Sequence, residues 1–214
     1  MMDELELLKK DWQNKEDHLP KLSYDQIYKM IWKKSSSIVK WIFYISLIEF
    51  IFWAGINILF SDPESMQELK AMHIYNVMMV LNFVNYGVIL YFIYKFYKNY
   101  RKISFTDSSK KLMRTILDVK KTVTQYVWFN LMIFAITMII SIYGVLIYGP
   151  QGKEIIASAM QEGNEATFWF LVITVSMIFT AVLLVLIWLF YKLLYGILLK
   201  RLKENYNDLK KLEV

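Results

Sequence analysis

Residues 38–60 read IVKWIFYISLIEFIFWAGINILF, twenty-three positions whose only acidic or basic side chains are Lys40 at the start and Glu49 at the centre. About 20 apolar residues in a helix cross the ~30 Å hydrocarbon layer of a bilayer, so the stretch reads as a transmembrane helix. Lys40 can snorkel to the headgroups. Glu49 reaches neither surface. A carboxyl at mid-bilayer costs on the order of 2.5 kcal/mol or more unless it is protonated, paired or wetted. The remainder of the chain has to answer this residue.

Three further apolar blocks follow, at about 74–96, 124–149 and 167–191, and together with the first they account for most of the 57% hydrophobic content of the 214 residues. A soluble chain of this length lacks the polar shell to hide four such blocks. The expected fold is an all-α integral membrane protein, with four transmembrane helices in two antiparallel hairpins and helical cytoplasmic extensions. The expected units are N-terminal amphipathic helices over 1–36, a membrane domain over 37–196 and a C-terminal helix over 197–214. A cytoplasmic helical hairpin over 97–123 belongs to the membrane domain. Cysteine is absent, which removes disulfides, thiolate metal sites and cysteine nucleophiles. The first 37 residues hold no short apolar core with a cleavage site, so the first span is expected to act as an uncleaved insertion signal.

The formal charge is +6, and its distribution matters more than its size. Of 25 Lys and Arg, 23 fall up to and including Lys40, between Lys95 and Lys121, or from Lys192 onward; Lys70 and Lys153 occupy the other loops. The positive-inside rule places both termini and the middle loop in the cytoplasm. The basic residues read as topology determinants and headgroup contacts rather than nucleic-acid contacts.

Residues 2–17 suit a short amphipathic helix, with Asp3 and Glu6 as a capping signal and Leu5, Leu8 and Trp12 on one face. Pro20 ends it. Ser23 to Gln26 forms a second capping box, and with no Gly or Pro from there to Gly55 one helix is expected from about Tyr24 through the first span. Thr106 or Asp107 is the expected cap of the next cytoplasmic helix, which continues as the third span to Gly149. Its Leu112, Ile116, Val119, Val123 and Tyr126 recur at four, three, four, three, a heptad-like seam. Gly149-Pro150 stops the third span, and Ile155–Met160 reads as an interfacial piece too short to cross. The tail repeats the seam with Tyr195, Leu198, Leu202, Asn205, Leu209 and Leu212. An Asn in such a core helps to set register. The pattern leaves open whether these seams close within one chain or between copies.

Counting from the span ends puts Asn82 and Asn85 near the depth of Glu49, with Thr137 on a polar or small stripe of the third span. A buried cluster of Glu49, Asn82, Asn85 and Thr137 is therefore expected. In a structural reading, a protonated Glu49 donates to Asn82 or Asn85 and pins helix register, since such bonds average only about 0.6 kcal/mol in membranes. In a functional reading it carries a proton or cation during transport. The structural reading leads, because no midspan Pro breaks a helix and no second acid forms a relay.

His18 and His73 are expected on opposite sides of the membrane, so one chain offers no histidine-ligated metal site. Nucleophile-elbow, phosphate-loop, dinucleotide and zinc-protease motifs are missing. Trp32, Trp41, Tyr97, Trp128, Tyr148, Trp169, Trp188 and Tyr191 fall near span ends and read as the interfacial aromatic belt. Neither a catalytic residue nor a cofactor is expected.

The segment LSYDQIYKMIWKKSSSIVKWIFYISLIEFIFW, residues 22–53, resembles the opening of a group of uncharacterised four-span bacterial inner-membrane proteins. Members sometimes carry a carotene-oxygenase label. Carotenoid-cleaving enzymes are generally histidine-ligated iron proteins on a propeller, and a chain with two histidines and four spans matches neither property. The resemblance implies a bacterial inner-membrane location and carries no activity to any residue.

Three functions are weighed. The leading one is a non-enzymatic membrane scaffold or regulator, presenting a cytoplasmic helical platform for an unknown protein partner or for a second copy. Its interaction seam would be Leu112, Ile116, Val119, Leu198, Leu202, Asn205, Leu209 and Leu212. The rival is a small transporter or channel component centred on Glu49. Membrane-held control of a transcription factor through residues 1–36 is weaker. The bilayer is the one partner common to all three, and nucleic acid is expected in none.

Overall fold

Ser23 and Gln26 cap each other: the Gln26 amide donates to Ser23 Oγ at 3.3 Å, and the Ser23 amide donates to Gln26 Oε1 at 2.9 Å. This reciprocal box starts a helix that runs without a break to Leu59. The structure is a computed structural model describing residues 23–59, 63–104, 108–161 and 165–213. Its elements, all α-helical among the described residues, are α1 Tyr24–Leu59, α2 Pro63–Ala71, α3 Tyr75–Ser104, α4 Ser109–Tyr148, α5 Pro150–Gln161 and α6 Glu165–Leu212. The amphipathic helix expected over 2–17 lies outside the described residues.

Local chemistry explains the boundaries. Ser108, in extended conformation, accepts from the Lys111 amide at 3.4 Å and is the cap of α4. The sequence pointed to Thr106 or Asp107, which lie outside the described residues; Ser108, three residues before the Lys111 amide, is the cap. The Gly149 amide bonds Val145 O at 3.1 Å and closes α4. Pro150 then opens α5, since a first helical position needs no amide proton. The expected loop and interfacial segment are thus the short helices α2 and α5. Between α2 and α3, His73 takes a φ of 58°, an uncommon left-handed turn for a side chain with a Cβ.

The four long helices close a ring. α1 packs on α3, α3 on α4, α4 on α6, and α6 returns to α1, with slight contact across the α1–α4 diagonal. The contacts show the relative sense of each neighbour. On α1, Trp32 meets Ile103 and Phe50 meets Tyr86, so rising numbers on α1 pair with falling numbers on α3.

One contiguous core occupies the end of the ring that holds the chain's lysine-rich segments. Ile31, Ile38 and Ile42 of α1 meet Ile89, Phe92, Phe96 and Ile103 of α3, Leu112, Ile116, Val119 and Val123 of α4, and Leu202 and Leu209 of α6. Along the helices these positions recur in steps of three, four or seven, which is knobs-into-holes spacing. Polar layers punctuate the core. Asn205 Nδ2 donates to Ser35 Oγ at 3.0 Å, and Asn99 Nδ2 donates to Thr122 Oγ1 at 3.2 Å.

The other end of the ring is packed differently. All four long helices are apolar enough to cross a membrane, yet only 6% of the most apolar windows of α4 and α6 is buried. Phe83, Leu171, Met177, Ile178 and Val182 all face outward. A continuous apolar exterior of this kind suggests a multi-pass membrane protein.

Candidate functional site

Glu49 lies on the buried seam of α1, one heptad above Ile42, and is 6% exposed. From α6, Tyr191 donates its phenol to Glu49 Oε1 at 2.6 Å and Tyr195 donates to Oε2 at 2.9 Å. Four positions separate the two tyrosines, so one helical face presents both. Their rings stack at 6.1 Å. Tyr126 of α4 stands edge-on to both, at 6.1 and 6.0 Å. Phe92 and Phe96 of α3 close the other side of Tyr126. All four long helices contribute.

The arrangement serves the carboxyl in either protonation state. A phenol both donates and accepts, so the two tyrosines can satisfy a carboxylate with two donors, or a carboxylic acid with one donor and one acceptor. Short hydrogen bonds to a carboxyl are also the strong ones. The two phenols can therefore give each carboxyl oxygen a partner in either protonation state.

The expected amide cluster does not form. Asn82 faces outward on α3, and Asn85, half-buried, has its Oδ1 enclosed without a hydrogen-bond partner. Thr137 is half-buried on α4 and makes none of the bonds at Glu49. The count from span ends gives depth and not direction: Phe50 meets Tyr86, which sets Asn85 near the level of Glu49, yet the carboxyl turns to α6. Glu49 sits at the centre of its own apolar run, yet it meets residues that bracket Lys192, the first basic residue of α6. It thus stands level with the lysine-bearing end of the α6 apolar run rather than its middle. Tyr191, expected in the interfacial belt, is 6% exposed and points inward. Trp32 is likewise engaged inward, donating Nε1 to Ile103 O at 2.8 Å.

A signal for the tyrosines was present in the sequence. Tyr126 ends the α4 seam and Tyr195 begins the α6 seam, so both belong to the register that buries Glu49. The remaining seam residues are also placed. Leu112, Ile116, Val119, Leu202, Asn205 and Leu209 are buried, Leu198 and Leu212 are half-buried, and all of them pack inside this one chain. The seam therefore closes within the chain, and its apolar side chains are not on an outer surface. Among the described residues no three His, Cys, Asp or Glu side chains converge as a metal site would require.

A family model described as Domain of unknown function (DUF8845) matches residues 25–214. No curated protein and no solved structure matches the chain.

Proposed function

We propose that this chain, which belongs to the DUF8845 family, is a non-enzymatic scaffold or regulatory protein of a bacterial inner membrane. In this reading its four long helices cross the bilayer as two antiparallel hairpins, with both termini in the cytoplasm. They then run on, unbroken, into a cytoplasmic four-helix platform that binds a partner protein. The carrying observation is helix continuity. α1, α4 and α6 have 36, 40 and 48 residues, against the ~20 a bilayer needs, and the excess forms the best-packed part of the molecule. Because the apolar seam is consumed internally, the partner surface is the charged outer face of that platform. Lys200, Lys203, Glu204 and Asp208 of α6 lie on it.

The cysteine-free sequence gives a clean topology test. Ser158→Cys and Asn207→Cys single variants, probed in intact cells with a membrane-impermeant maleimide, are expected to label at 158 and not at 207. Labelling at 207 overturns the orientation. Crosslinking from positions 203 and 207 in native membranes is expected to capture one specific protein. Absence of any adduct there overturns the platform.

A second reading stands on the Glu49 site, whose paired phenols accommodate either protonation state of a buried acid. In that reading the protein is a small transporter or channel component, with Glu49 as its proton or cation site. Loss of coupled flux in proteoliposomes carrying folded Glu49→Gln protein supports it. Absence of flux in the unmodified protein removes it.

A further inference from the structure

Between α4 and α6 the ring opens into a groove of about 820 Å³, walled by Trp128, Met132 and Ala135 on one helix and Leu184, Val185 and Trp188 on the other. Its volume falls in the range of real ligand sites, and its walls are almost wholly apolar. At the lysine-rich end it passes into a smaller recess of about 190 Å³, reached past Trp128 and Trp188 and bounded by Thr124, Tyr191, Lys192 and Tyr195. Lys192 holds its ammonium 4.7 Å from the Trp188 ring, at the junction of the two spaces. Lys121 is exposed on α4, one turn before Thr124 and two before Trp128 on the same helical face. No acidic residue lines either space.

We propose that this groove binds one anionic phospholipid of the cytoplasmic leaflet, with an acyl chain between Trp128 and Trp188 and the phosphate at Lys192 and Lys121. The inference rests on the reading that α4 and α6 cross the bilayer. An apolar slot above, two tryptophans at the mouth and two lysines below reproduce the order of chain, interface and headgroup in a lipid. A protein helix has no matching charge order, and a free phosphate has no use for the apolar slot. The recess also places the headgroup against the outer edges of Tyr191 and Tyr195, whose phenols hold Glu49. Lipid occupancy is thereby in contact with the buried acid cluster.

The test uses full-length protein in detergent, titrated with phosphatidylglycerol or phosphatidylcholine carrying brominated chains, and reads tryptophan quenching. Saturable quenching is expected at a several-fold lower concentration of the anionic lipid, and most of it should vanish in the Trp128→Phe, Trp188→Phe double variant. Lys121→Gln and Lys192→Gln should each weaken the anionic preference about fivefold, given the usual contribution of one lysine at an anionic surface. Ala135→Phe, which fills the slot from its lining, should reduce retention of both lipids in native mass spectrometry. Equal affinity for the two lipids in unmodified protein, or an anionic preference unchanged in the double lysine variant, overturns the proposal. Alkaline carbonate extraction separates the two levels. Protein released from membranes refutes the bilayer reading itself, whereas protein retained without lipid preference refutes the site alone.

Discussion

Tyr191 reaches across 142 positions of sequence to donate its phenol to Glu49 at 2.6 Å, and that bond ties the last long helix to the first. Together with Tyr195 it closes the ring at the α1–α6 contact, which no short loop enforces.

Removing the donors should cost more than altering the acceptor. A Tyr191→Phe, Tyr195→Phe double variant leaves a buried carboxyl unmatched, a loss of about 1–3 kcal/mol or more for a charged group. Glu49→Gln keeps one acceptor oxygen and an amide that a phenol can accept from, so its loss should be smaller. Thermal unfolding in detergent, followed by size-exclusion of the survivors, ranks the variants. Glu49→Gln falling below the double phenylalanine variant contradicts this geometry.

The Asn205–Ser35 layer makes a similar prediction in the platform. Asn205→Leu or Ser35→Ala alone strands one partner in a buried layer and should each lower stability by about 1–3 kcal/mol. The pair together should recover much of the loss, because replacing both partners by apolar groups can be nearly neutral. A double-mutant cycle on denaturation midpoints measures the coupling, and strict additivity would show the bond to be inert.

Gly144 lies under Ile74 at the far end of the ring, where an added Cβ would come within 2.5 Å of Ile74 Cδ1. Gly144→Ala is therefore expected to force a rotamer change and cost about 1 kcal/mol, and Gly144→Leu up to about 3. Ile74→Val, which removes the colliding methyl, should rescue Gly144→Ala in a thermal-shift measurement. An unaffected Gly144→Leu variant would mean that α3 and α4 do not approach here.

Deleting residues 198–214 should unfold the platform rather than merely remove a docking tail. The deletion takes away Leu202 and Leu209, both within 1% of complete burial, and opens the core around Leu112, Ile116 and Val119. Single Leu202→Ala and Leu209→Ala variants should each cost about 2–5 kcal/mol. Limited proteolysis of membranes reads the outcome as faster cleavage within 108–123. Charge reversal at Lys200 and Lys203, by contrast, should leave that protection unchanged.

Much of this architecture was legible in residue order. Four apolar runs, each long enough for a bilayer, specify four long helices, and Ser23, Gln26, Gly149 and Pro150 mark ends that the structure keeps. Steps of three and four from Leu112 to Tyr126 and from Tyr195 to Leu212 name the faces that are buried. These are local properties, set by helix pitch, capping chemistry and the cost of wetting apolar side chains. The partner of Glu49 was not legible in the same way. Span ends put Asn85 near the level of Glu49, as the Phe50–Tyr86 contact shows, but depth does not choose between neighbouring helices, and the carboxyl bonds Tyr191 and Tyr195 of α6, which stands offset from α1. Side-chain spacing along one helix says which face turns inward. The axial offset between two helices is settled only when their knobs and holes, and the polar layers at Ser35–Asn205 and Asn99–Thr122, are packed together.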